Sequence, residues 1–255
     1  MAARRLVYFL LFISSCAAHA REDIHVAVAS SLRGPFTELV SSFAAQHPEY
    51  RVQVTYAATG KLVAQVQNGA PYHLLIAADP HYLATLYQRD LLAEAPRTFA
   101  QGAIVLWHPE QSGTLQQLLS QARHIGIAQP RHAPYGQAAV SFLEQQGWLV
   151  TSKPRFIYAE NAAQVVHRVY AGAVPMGFVA LSQIHELGVN AADYSVLPSA
   201  PLLAHTTALT RKSATHSGAQ LLQAMLWQKE GQQLLARFGY QVTPVDGEPS
   251  HVASE

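Results

Sequence analysis

The chain has 255 residues, 49% of them hydrophobic and 13% charged, and its 17 basic and 16 acidic side chains leave a formal net charge of +1. That length suffices for one large domain or two modest lobes with their own cores, and the apolar content excludes a disordered chain. The balanced charge gives no general basic field for nucleic acid, and the frequent Pro and Gly argue against a multi-span membrane protein.

The N-terminus follows its own pattern. Arg4 and Arg5 precede an apolar run, Leu6 to Ile13, and small residues then lead to Ala18-His19-Ala20. A charged start, a short apolar core and an Ala-x-Ala end predict a secretory signal peptide over residues 1–20, with a core too short to stay as a membrane anchor. Its removal takes two arginines and no acid, which moves the net charge from +1 to −1. The single cysteine, Cys16, falls inside this segment, so the mature chain would be held by packing without internal disulfides, even in an oxidising compartment. Ile13-Ser14-Ser15-Cys16 also resembles a bacterial lipoprotein cleavage box, which makes lipidation at Cys16 the alternative to cleavage after Ala20.

Beyond it, short β-rich runs alternate with helical ones. Ile24 to Ala29 reads as a strand, Pro35 to Gln46 as a helix with Phe36, Leu39, Val40 and Phe43 at helical spacing, and Arg51 to Tyr56 as a strand with alternating apolar positions. A helix from about Gly60 to Asn68 is stopped by Gly69 and Pro71. A strand from His73 to Ala77 runs into Asp79-Pro80, a capped helix start. The pattern restarts after Phe99, with strands at 103–107, 125–128, 155–158 and 176–181 and helices at about 115–121, 136–146 and 162–170. Thr206 to Thr210 reads as a further strand. A helix from about Ala214 to Lys229 and another to Phe238 close the chain, and the tail over 245–255 is polar and frayed.

Strand–helix alternation predicts parallel sheets covered by helices, and two such sets followed by a return segment predict an α/β fold of two lobes with a cleft between them. Lobe one would take residues 21–102 plus 207–244 and lobe two 103–206, with crossings near Gly102 and His205. Ligands of open α/β sheets bind at the carboxyl ends of strands, which here is the edge facing the cleft.

Four strand-to-helix turns face that edge: Val28 to Leu32, Ala57 to Leu62, Ala133 to Gly136, and Ala159 to Ala162. Each sets small or hydroxyl residues at a helix N-terminus, where backbone N–H groups lack intrahelical partners and the dipole favours an anion. Any one of them is also an ordinary N-cap. Thr59-Gly60-Lys61 within the second turn is not a nucleotide phosphate loop. The first glycine of that loop is replaced by Thr55, and Leu62 stands where magnesium would need a hydroxyl. Lys61 itself reads as an exposed helix residue, with long-range attraction of an anion as the alternative.

Several stretches resemble the periplasmic molybdate-binding proteins of ABC transporters: Ala29-Ser30-Ser31-Leu32, Ala58 to Leu62 with Gln65 and Asn68 to Pro71, Ile76 to Asp79, Ala133 to Ala139, Glu160-Asn161-Ala162, and Gly177 to Gln183. The likeness runs in order from about residue 24 to 240. It implies a periplasmic receptor that clasps molybdate or tungstate between two lobes and delivers it to a cognate permease in the inner membrane. The carried-over oxyanion-binding positions are the hydroxyls of Ser31 and Thr59, the backbone N–H groups of Tyr135 and Ala162, and position 180. Ser30, Gly60 and Asn161 would support them. Many members of the family place a tyrosine at the fifth position, where this chain has Ala180, so Tyr135 or a water would supply the missing bond.

A deprotonated tetrahedral dianion only accepts hydrogen bonds and suits a donor-only pocket, whereas hydrogen phosphate would want an acceptor. Asp79, the nearest carboxylate in these motifs, reads as a helix cap. The remaining alternatives are another oxyanion, such as chromate or sulfate, or a metal cation, since the sequence has 13 histidines. Those histidines are scattered singly, without metal-ligand spacing. Neither a G-x-S-x-G elbow nor an H-E-x-x-H helix occurs, so no enzyme is predicted. The expectation is a monomer with no cofactor, no protein-ligated metal and no nucleic-acid partner.

Overall fold

A computed structural model of the protein describes residues 21–197 and 199–242. The predicted signal segment, Cys16 and the polar tail lie outside the described residues. The first lobe opens with β1 (Glu22–Ala29), a 3-10 turn at Ser30–Leu32 and α1 (Arg33–Gln46). β2 (Tyr50–Ala57), α2 (Thr59–Gln67), β3 (Leu74–Ala77), α3 (Pro80–Tyr87) and β4 (Arg97–Gly102) follow. The second lobe holds β5 (Ile104–Trp107), α4 (Leu115–Gln121), β6 (Ile125–Ala128), α5 (Pro134–Gln145) and the short α6 (Leu149–Ser152). It continues with β7 (Phe156–Ala159), α7 (Ala162–Tyr170), β8 (Gly177–Ala180), α8 (Leu181–Leu187) and β9 (Tyr194–Val196). The chain then returns to the first sheet through β10 (Leu203–Leu209), α9 (Ser217–Ala224), α10 (Lys229–Arg237) and β11 (Gln241–Val242).

The strands form two sheets, ordered β11-β4-β10-β3-β1-β2 and β7-β6-β8-β5-β9. Both are mixed, which corrects the expectation of parallel sheets. β2-β1-β3 and β7-β6-β8 are parallel, but β4, β10 and β11 in the first sheet and β5 and β9 in the second pair antiparallel. The reason is that β5, on which the chain enters lobe two, and β10, on which it returns to lobe one, run against the βαβ units of their sheets. The return strand is also longer than expected: β10 starts at Leu203, beside Gly102, and already includes His205.

Alternate residues of one strand feed different cores, as a sheet covered on both faces requires. Val26, Val28 and Ile76 pack under α1, α9 and α10 with Phe36, Phe43, Leu222 and Leu235. Ala27, Leu75 and Ala77 face the opposite way, onto Leu62, Val66 and Leu83 of α2 and α3. In lobe two, Leu106, Ile127 and Phe178 meet Phe142 of α5, while Val105 and Val179 meet Val165 and Val169 of α7. Full burial of such a side chain is worth about 1.5–3 kcal/mol each, so the two sheets hold the strand ends rigidly. Asp79 caps α3, its carboxylate accepting from the His81 N–H at 2.9 Å. The long helix expected over 214–229 is broken after Ala224, and Gly231 packs directly on the Met225 carbonyl.

Candidate anion site between the lobes

The four turns meet. A small cavity is walled by Ala29, Ser30, Ser31, Ala57, Ala58, Thr59 and Ala78 from lobe one and by Ala133, Pro134, Tyr135, Asn161 and Ala162 from lobe two. No side chain in this wall is charged. Small alanines let the backbone approach, and three helices of nine residues or more, α2, α5 and α7, present their N-termini to it along with the turn before α1. The unpaired N–H groups of those first turns and the aligned dipoles make the centre favourable for negative charge.

Each wall is fixed by its own bonds. Thr59 Oγ1 accepts from the Ala78 N–H at 3.1 Å, so its oxygen is occupied and its proton is left to donate. Asn161 caps α7 by accepting from the Gln164 N–H at 3.1 Å, and Gln164 Oε1 accepts in turn from the Glu160 N–H at 3.0 Å. That pair leaves the amide of Ala162 facing the cavity as the first helical N–H. Pro134 occupies the first position of α5, where its missing N–H costs nothing, and the Tyr135 amide follows it.

Ser31 is held from three sides. Its hydroxyl lies 3.3 Å from His205 Nε2, and its carbonyl accepts from Ser182 Oγ at 2.9 Å and from the Tyr240 hydroxyl at 3.1 Å. Tyr240 also lies 3.2 Å from Ser182 Oγ. Tyr135 Oη is buried beside this group and has no hydrogen-bond partner among the described residues. A Cβ on Gly102 would collide with that hydroxyl, which places it at the crossing between the lobes. Burial holds the Tyr135 hydroxyl well above the usual tyrosine range and pushes Tyr240 up to about 12. Both therefore stay neutral at physiological pH.

Of the positions singled out in the sequence, Ser30, Ser31, Thr59, Tyr135, Asn161 and Ala162 are brought together here. Ala180 and Gly60 are not. Ala180 is fully buried at the start of α8, and its N–H is taken by Gln183 Oε1 at 3.2 Å, so position 180 offers neither side chain nor backbone to the cavity. Gly60 faces the other lobe instead, its N–H donating to the His132 carbonyl at 2.9 Å, and a Cβ there would press on His132 within 2.8 Å. Lys61 is no lone exposed charge, since its Nζ pairs with Glu160 Oε1 across the cleft at 2.9 Å. His205, Ser182 and Tyr240 hold Ser31 without lining the cavity, and none was given a role from the sequence, although Ser182 lies in the Gly177–Gln183 stretch. Among the described residues no group of three or more His, Cys, Asp or Glu is arranged to hold a metal ion.

Comparison with known proteins points to the same kind of molecule. A molybdate-binding protein of Azotobacter vinelandii, ModA, is 33% identical over 181 residues, covering 68% of this chain and 70% of its own. A protein of the same name from Rhodobacter capsulatus is 23% identical over 227 residues, 87% of this chain and 89% of its own. The solved structure of an Azotobacter vinelandii periplasmic molybdate-binding protein superposes with a TM-score of 0.80 at 26% identity, covering 87% of this chain and all of that one. The profile described as bacterial extracellular solute-binding protein matches residues 24–241. The chain belongs to the bacterial extracellular solute-binding protein family, and its two-lobed α/β fold is the one the sequence pattern predicts.

Proposed function

We propose that this protein is the periplasmic receptor of an ABC importer that captures molybdate, or tungstate, as a dianion and delivers it to a membrane permease. The observation that carries the reading is the uncharged cavity walled by four strand-to-helix turns. In it, Ser31 and Thr59 give hydroxyl protons, Tyr135 and Ala162 give backbone N–H groups, and the Tyr135 hydroxyl stands in for the tyrosine absent at position 180. The similarity to molybdate-binding relatives selects this anion among others of its shape. A cation finds no carboxylate or imidazole in the wall, and hydrogen phosphate finds no carboxylate acceptor. The receptor works by desolvation, hydrogen bonding and lobe closure, with no catalytic step, and acts as a monomer. Closure aligns surfaces of both lobes, so the permease distinguishes loaded from empty receptor.

Calorimetry against molybdate, tungstate, chromate, sulfate, phosphate and zinc tests this. Molybdate or tungstate should bind most tightly. Preference for phosphate, or a response to zinc alone, overturns the reading.

A further inference from the structure

We propose that His205 is a positioning residue for the anion site, setting the direction of the Ser31 hydroxyl and linking binding of a dianion to uptake of one proton. The inference rests on the oxyanion reading above and extends it to a residue that does not touch the cavity. His205 is fully buried, and its Nδ1 lies 2.9 Å from the Leu203 carbonyl. A carbonyl only accepts, so Nδ1 carries the proton, and the neutral ring has only a lone pair at Nε2. That lone pair faces Ser31 Oγ at 3.3 Å, so the Ser31 proton points at His205 unless a ligand draws it away.

The serine has one proton and two claimants. A dianion in the cavity needs it, and turning it toward the anion leaves Nε2 buried without a donor. Protonating Nε2 removes that orphan, because the ring then has a donor to offer in place of an unmatched acceptor. The imidazolium then donates to Ser31 Oγ while Ser31 donates to the anion, which completes the chain Leu203 carbonyl, His205, Ser31, ligand. Burial works against this ring's charge, pushing its pKa down to about 4, and a dianion one residue away works for it.

The surroundings supply no competing charge. His205 is packed by Phe99 and Gly102 of β4, Tyr135 of α5 and Tyr240, with ring centroids 6.4, 6.2 and 5.0 Å away for the three aromatics. Both tyrosines are held neutral by burial. The next ionisable groups outward are Glu186, which faces Tyr240, and Arg33 beside that carboxylate. Protonation of His205 is therefore answerable to the ligand.

The test is calorimetry with molybdate at about pH 6 and 8, in buffers of differing ionisation enthalpy, a range in which the anion keeps its charge. The wild type should take up a measurable fraction of a proton on binding. Its affinity should fall about threefold or more from pH 6 to 8, with a ceiling of about a hundredfold, because a linked proton changes affinity by at most tenfold per pH unit. His205→Phe should remove both the uptake and the slope while retaining binding. Ser31→Ala, which leaves the histidine in place, should remove them too and guards against misfolding of the first variant. Binding without proton uptake in the wild type, or an undiminished slope in both variants, overturns the role of His205 and leaves the receptor reading intact. Failure to bind any oxyanion overturns both.

Discussion

The two walls of the cleft use different chemistry. Lobe one reaches the cavity with hydroxyl side chains, Ser31 and Thr59, each tied to a partner in its own lobe, His205 Nε2 and the Ala78 amide. Lobe two reaches it chiefly with backbone, the starts of α5 and α7, aimed by Pro134 and by the Asn161 cap. A side-chain donor can be removed by one substitution. A backbone donor can be displaced only by moving the helix that carries it. Lobe one is thus the wall where ligand preference is tunable, and lobe two is the wall where geometry is fixed.

Moving a helix should have the largest effect. Gly136 sits one residue past the Tyr135 amide, and a Cβ there would sit inside the Ala128 carbonyl oxygen, which is backbone and cannot turn away. Gly136→Val should destabilise the protein by about 1–3 kcal/mol or more and abolish anion binding, read by thermal melting and calorimetry. Unchanged melting and binding would break the claim that lobe two is fixed by close backbone contact.

An intermediate effect is expected at Thr59. Thr59→Val keeps the shape, removes the donor and leaves the buried Ala78 amide unpaired. Affinity should fall by about 1.5–3 kcal/mol, the worth of a hydrogen bond to a charged group, while Thr59→Ser stays near wild type. Wild-type affinity in Thr59→Val with a loss in Thr59→Ser would mean that the methyl group, and not the hydroxyl, serves the site.

The smallest effect belongs to the pair that joins the walls. Lys61 and Glu160 are each about two-fifths exposed, so Lys61→Met should cost only about 0.2–1 kcal/mol of affinity, and the difference should vanish at high salt. A large, salt-insensitive loss would place Lys61 in the anion's own field.

The turns that make the cavity were legible because each begins a helix straight after a strand, a local pattern of small residues and caps. The alternating apolar runs of β1, β2 and β6 were legible for the same reason. β4 was not: Arg-Thr-Phe-Ala-Gln-Gly has no continuous apolar run, and pairing with β10 and β11 makes it a strand. The bonds that hold Ser31 join residues 174, 151 and 209 positions apart, and no local pattern signals contacts of that separation. Position 180 misled for a related reason. Its place in the motif was readable, but the use of its amide depends on how Gln183 folds back in α8.

The place of β10 has a consequence in time. It lies between β3 and β4 in the first sheet, yet it is made only after all of lobe two. A chain emerging N-terminus first can complete the second sheet while the first still lacks a central strand, leaving the facing edges of β3 and β4 open to wrong partners. Lobe two is therefore the unit free to fold early. Lobe one, with the serine, the histidine and half of the cleft, must wait for the segment that begins at Leu203 and supplies β10, α9, α10 and β11.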